Sequence, residues 1–155
     1  MSTLNGLPAH VLLVHFTLVL GALTAILAIL CAVWPAARRR FVWLTLTLAA
    51  VTAVLTPLTM EAGEWLEDRV TGSEALERHE DLGKTMLYVA IALVIAAILV
   101  AVLHRWAMPT VPAVLVAVVV VALSVGAAAQ LMRIGESGAE AAWGEVVSGS
   151  SADGD

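Results

Sequence analysis

Four long apolar runs separated by short polar stretches organise this chain. The runs lack Asp, Glu, Lys and Arg and extend over residues 11–34, 41–60, 86–103 and 111–132. Each is close to the roughly 20 residues that a helix needs to cross the hydrocarbon core of a bilayer. An open sheet in lipid would leave edge hydrogen-bonding groups unpaired, so strands are excluded. The pattern predicts an all-α integral membrane four-helix bundle with helices over about 9–34, 41–60, 73–104 and 110–134.

The composition supports the same class. Of the 155 residues, 61% are hydrophobic and 14% charged, with a mean hydropathy of +0.94. An average soluble domain is about half apolar and about a quarter charged. The net charge of -5, with no stripe of basic residues, argues against a nucleic acid partner. The expected partner is therefore the lipid bilayer.

The polar ends of the runs divide the chain further. Residues 1–147 are predicted to form one transmembrane domain. A capping box from Thr71 to Glu74 indicates that the third helix begins near Ser73, outside the apolar run. Residues 137–147 are predicted to form an interfacial helix. Residues 148–155 are rich in Ser, Gly and Asp, which predicts a disordered tail.

The distribution of charge predicts an orientation. Three arginines at 38–40 lie in the first connection and Arg105 in the third, whereas eight acidic residues outnumber three basic ones between 61 and 84. Because cytoplasmic loops are enriched in Lys and Arg, the first and third connections are expected inside. Both termini and the acidic loop are then expected outside, an N-out/C-out topology.

The small residues around the histidines indicate which way each imidazole points. Helices in lipid pack through small and weakly polar residues. His10 lies seven residues before Thr17 on such a face, and His79 lies four before Gly83 on another. His15 is rotated by about 140° from His10, since each helical residue turns about 100°. We therefore expect His10 and His79 to point into the bundle and His15 to face a neighbouring helix.

A short internal repeat favours a duplicated helical hairpin. Met60 to Glu64 and Met132 to Glu136 share the pattern M-x-x-G-E at an offset of 72 residues, and His10 and His79 are 69 apart. Two copies in the same orientation would be related by an axis along the membrane normal. The repeat predicts that His10, His79, Glu64 and Glu136 converge at the outer end of the bundle.

Three segments resemble an uncharacterised bacterial membrane family, domain of unknown function 2231. They are residues 7–16, residues 59–67 together with 79–83, and residues 135–139. The resemblance implies a four-helix protein of the bacterial cytoplasmic membrane with histidines at these positions, and it supplies no biochemical activity. Family members often have His where this chain has Glu136, so this chain departs from an all-histidine site.

The sequence leaves three functions open. In the first, b-type haem is held by His10 or His15 from the first helix together with His79, and the protein transfers electrons. In the second, His10, His79, Glu64 and Glu136 bind a transition metal ion. In the third, there is no cofactor and the protein is a scaffold or accessory subunit of a membrane complex. Redox partners, complex partners and a homo-oligomer are compatible with these options, and no catalytic motif identifies an enzyme activity.

Overall fold

The computed structural model describes the backbone of residues 3–4, 7–67 and 72–152 and the side chains of residues 10–66 and 72–144. Two two-residue strands, β1 (Thr3–Leu4) and β2 (Leu7–Pro8), pair antiparallel before the first helix. The helices that follow are α1 (Ala9–Val33), α2 (Pro35–Glu67), α3 (Glu74–Lys84), α4 (Met86–Arg105) and α5 (Thr110–Ala152).

Four spans of the described chain are long and apolar enough to cross a membrane: α1, α2, α3 with α4, and α5. In the bundle α1 packs against α2 and α5, and α4 packs against the same two helices. The hairpin α1–α2 therefore lies beside a second hairpin, which α3 and α4 form together with α5. This arrangement confirms the all-α integral membrane four-helix bundle.

The helix ends differ from the sequence-based bounds. Helix α2 begins at Pro35, because proline is favoured in the first turn of a helix. The three arginines at 38–40 therefore lie within the helix. The predicted third helix is two helices. Ser73 caps α3 by accepting a hydrogen bond from the Leu76 amide at 3.2 Å, and Thr71 of the predicted capping box lies outside the described residues.

The predicted interfacial helix over 137–147 is not separate in the structure, because α5 is one helix from Thr110 to Ala152. The disordered tail over 148–155 stays a prediction. Residues 153–155 lie outside the described part. Glycines such as Gly135 and Gly138 cost a helix about 1 kcal/mol each relative to alanine. A proline would cost the helix more, but no proline follows Pro112, and the polar segment continues the helix without a break.

The buried faces repeat between the two hairpins. In α1 and α4 the buried positions correspond at an offset of 69 residues, as in Thr17 and Met86, Gly21 and Ala90, Thr24 and Leu93, Ala28 and Ala97, and Cys31 and Val100. In α2 and α5 they correspond at an offset of 75 residues, as in Thr45 and Val120, Ala49 and Ser124, Thr52 and Ala127, Thr56 and Leu131, Thr59 and Ile134, and Ala62 and Ser137. The packing favours a duplicated hairpin, with a register of 75 for its second helix instead of 72.

Candidate functional site

His10, in the first turn of α1, and His79, in the middle of α3, meet at one end of the bundle. Their ring centroids are 6.4 Å apart and the ring planes cross at 72°. Both side chains are half-buried. The structure therefore brings together the two histidines that the packing faces predicted to point inward, one from each hairpin.

Hydrogen bonds fix which nitrogen of each ring carries the proton. His10 Nδ1 lies 3.1 Å from the Thr59 carbonyl oxygen, which can only accept, so Nδ1 donates. His79 Nδ1 lies 2.9 Å from Ser137 Oγ. The Ser137 hydroxyl donates its own proton to the Ile134 carbonyl at 3.0 Å, so it accepts from His79. In both neutral imidazoles Nε2 is then the nitrogen with a free lone pair.

A glycine lies against each ring. A Cβ atom placed on Gly63 would come within 3.0 Å of the His10 ring, and one on Gly138 within 3.0 Å of the His79 ring. These four positions, Thr59, Gly63, Ser137 and Gly138, were not among the predicted site residues. Their sequence signal is the pair Glu61-Ala62-Gly63 and Glu136-Ser137-Gly138, which align at the 75-residue offset.

The remaining predicted site residues are exposed and are not part of the histidine pair. His15 is exposed, and its Nδ1 is 2.6 Å from the carbonyl of Val11 on its own helix. Glu64 and Glu136 are exposed. Within residues 10–66 and 72–144 there is no group of three or more His, Cys, Asp or Glu side chains that could hold a metal ion. The structure therefore provides a pair of imidazoles, whereas the proposed metal ion would require a four-ligand shell.

The electrostatics of the two ends of the bundle are opposite. All eight acidic side chains that the structure describes lie at the end with the histidine pair, on α2, α3 and α5. Arg78 on α3 lies 3.5 Å from Glu140 on α5 across this end. The other end contains the arginines at 38–40 and Arg105. There His104 packs edge-on against Trp43, with ring centroids 6.5 Å apart.

Comparison with known proteins leaves the biochemical activity open. Neither the curated proteins nor the solved structures contain a match to the chain. A family model described as a predicted membrane protein, DUF2231, matches residues 6–150. That stretch includes all four spans, both histidines and both glycines of the site. The chain therefore belongs to the DUF2231 family of membrane proteins.

Proposed function

We propose that His10 and His79 would hold one b-type haem, which would supply electron transfer. The proposal rests on one observation: the two hairpins present their equivalent histidines to each other, with ring centroids 6.4 Å apart. Haem iron takes four nitrogens from the macrocycle, so two imidazoles complete its coordination.

The protonation of the rings supports this assignment. A histidine that binds a metal usually donates its other ring N–H to a carbonyl, a carboxylate or water, which fixes the tautomer and the ring orientation. His10 donates to a backbone carbonyl, and His79 donates to a hydroxyl that is itself bonded to one. Both rings are therefore held in the form that leaves Nε2 available to a metal.

A haem suits the site better than a bare metal ion with mixed ligands. The competing proposal needs Glu64 and Glu136 beside the two histidines, yet both carboxylates are exposed. A structural or catalytic zinc ion takes three or four protein ligands, whereas the described side chains supply no group of three. Two protein ligands suffice only where the cofactor supplies the others.

We further propose that the histidine pair faces the non-cytoplasmic side of a bacterial cytoplasmic membrane. Both termini and the acidic loop would lie on that side, and the arginines at 38–40 and Arg105 in the cytoplasm. A haem there would exchange electrons with a partner protein on the same side. Cysteines introduced at Ser73 and at Ala107 in a Cys31→Ser background test the orientation: an impermeant maleimide should label position 73, and labelling of position 107 alone would reverse the topology.

The absorption spectrum tests the cofactor. Protein purified in detergent from cells supplied with a haem precursor should contain one haem per chain and show a Soret band that shifts on reduction with dithionite. His10→Ala and His79→Ala should each abolish this bis-histidine spectrum. His15→Ala and His104→Ala are matched controls, because each removes an imidazole outside the pair, and both should retain it.

The alternatives give different results. A stoichiometric metal in elemental analysis without a Soret band would favour the metal-ion proposal. Wild-type protein with neither haem nor metal would overturn both and leave the scaffold or accessory subunit.

A further inference from the structure

The surroundings of the two histidines match in three respects. His10 lies against Gly63 of α2, and His79 lies against Gly138 of α5. The backbone carbonyl four residues before each glycine, of Thr59 and Ile134 respectively, receives the hydrogen bond from the ring directly or through Ser137. The two segments are 75 residues apart, the same offset that relates the buried faces of α2 and α5.

We propose that residues 59–63 and 134–138 are two copies of one imidazole cradle, whose glycines Gly63 and Gly138 are positioning residues for the histidine pair. In each copy the missing side chain of the glycine lets the ring approach the helix backbone. The carbonyl one turn earlier accepts the hydrogen bond from Nδ1–H, directly in the first copy and through the Ser137 hydroxyl in the second. The cradle thereby keeps Nε2 unprotonated. This deepens the haem proposal, but the tautomer it assigns does not require that haem be bound.

The contact distances show what a methyl group at the glycine would do. A Cβ on Gly63 would lie 3.0 Å from His10 Cε1 and 3.1 Å from Nδ1. Ordinary van der Waals contact begins at 3.4 Å, so the ring has to move away by roughly 0.4 Å. The hydrogen bond from Nδ1 to the Thr59 carbonyl is 3.1 Å long. It therefore lengthens toward the roughly 3.5 Å at which a hydrogen bond fails. The same contact at Gly138 displaces the ring of His79.

The two copies differ at one position. The residue before the glycine is Ala62 in the first copy and Ser137 in the second, and both are buried. In the first copy the ring reaches the carbonyl directly, whereas in the second it reaches the hydroxyl of Ser137. The first copy shows that a cradle with alanine at this position still binds its imidazole. We therefore assign the essential acceptor to the backbone carbonyl, with Ser137 as a bridge to it.

The experiment is long-range proton–nitrogen NMR of the full-length protein labelled with nitrogen-15 in its histidines, without haem, in detergent at a pH where the imidazoles are neutral. Each of the four histidines is assigned by replacing it with Gln. In the wild type, His10 and His79 should both be protonated at Nδ1 only. Gly63→Ala should abolish the Nδ1–H form of His10 as the dominant tautomer and leave His79 unchanged, and Gly138→Ala should do the reverse.

Two glycines of α5 serve as matched controls. A Cβ on Gly126 meets nothing within 4 Å, and one on Gly135 approaches only Leu18, at 3.9 Å. Alanine at either position has the same intrinsic effect on the helix as at Gly138 but should leave both tautomers as in the wild type. If these controls change the rings as much as Gly138→Ala does, helix propensity explains the effect and the cradle is refuted.

Ser137→Ala tests the cradle without adding bulk, and it applies even if the alanine variants at the glycines do not fold. The ring of His79 should move onto the Ile134 carbonyl and keep its Nδ1 proton, as His10 does beside Ala62. A wild-type ring protonated at Nε2, or a His79 that changes tautomer in Ser137→Ala, overturns the assignment. Correct tautomers in a protein that never binds haem would support the cradle and refute only the haem.

Discussion

The hydroxyl pair between α1 and α2 allows a quantitative test of the packing. Thr17 Oγ1 and Thr59 Oγ1 are 3.0 Å apart and both side chains are buried. Because Thr59 donates its proton to the Leu55 carbonyl at 2.9 Å, Thr17 must be the donor in the contact between the helices. Thr17→Val removes this donor, Thr59→Val removes the acceptor, and each replaces a hydroxyl by a methyl of similar size.

The expected cost is small. Hydrogen bonds between helices in membrane proteins contribute about 0.6 kcal/mol on average and about 1.7 kcal/mol at most. In Thr17→Val, Thr59 keeps its bond to Leu55. In Thr59→Val, the Thr17 hydroxyl can turn to the carbonyl of Leu13 on its own helix, as threonines in helices commonly do. Each single variant should therefore lose about 0.6 kcal/mol of unfolding free energy. The double variant should also lose about 0.6 kcal/mol in total, because both substitutions remove the same hydrogen bond.

The assay is a double-mutant cycle of unfolding free energies in bicelles, measured by steric trapping or by titration with SDS. The control cycle uses Thr24 and Thr52, which donate to Leu20 and Leu48 on their own helices and should show no coupling. A coupling between Thr17 and Thr59 that does not exceed that of the control pair would refute the shared hydrogen bond. Losses above about 3 kcal/mol in a single variant would contradict the assumption that the remaining hydroxyl finds a partner.

Three further predictions concern other parts of the bundle. Gln130→Leu removes the 2.8 Å bond from α5 to Thr85 Oγ1, so amide exchange should accelerate in α3 and not in the centre of α4; equal rates in wild type and variant would contradict the role of this bond. Cys31 is fully buried and should react with a maleimide only after SDS unfolding; rapid labelling of the folded protein would refute its burial. Glu140→Gln removes the exposed 3.5 Å ion pair with Arg78, and the loss of stability should stay below about 1 kcal/mol and shrink with added salt; a larger, salt-independent loss in unfolding titrations would show that the pair is not solvent-screened.

Two glycines of the membrane spans have different surroundings. Gly21 is buried inside the bundle, where a Cβ would lie 3.1 Å from Leu131. Gly126 is exposed on α5 with nothing within 4 Å of its Cβ position. The small residues of α1 therefore serve packing within one chain.

The sequence by itself determined the membrane class, the four spans and the inward faces of His10 and His79. These properties depend on single segments: hydropathy is summed along one helix, and the side-chain direction of a residue follows from the fixed rotation of the helix. The separation of 69 residues between the two histidines is also the offset of the buried faces of α1 and α4.

Only the tertiary structure decided which residues of α2 and α5 meet those histidines. The repeat M-x-x-G-E aligned Gly63 with Gly135, whereas the glycine that lies against His79 is Gly138, three residues later. A shift of three residues keeps nearly the same helix face, so periodicity along one chain segment cannot distinguish the two registers. The choice depends on how closely two helix backbones approach around an imidazole ring, and that distance is a property of the packed pair.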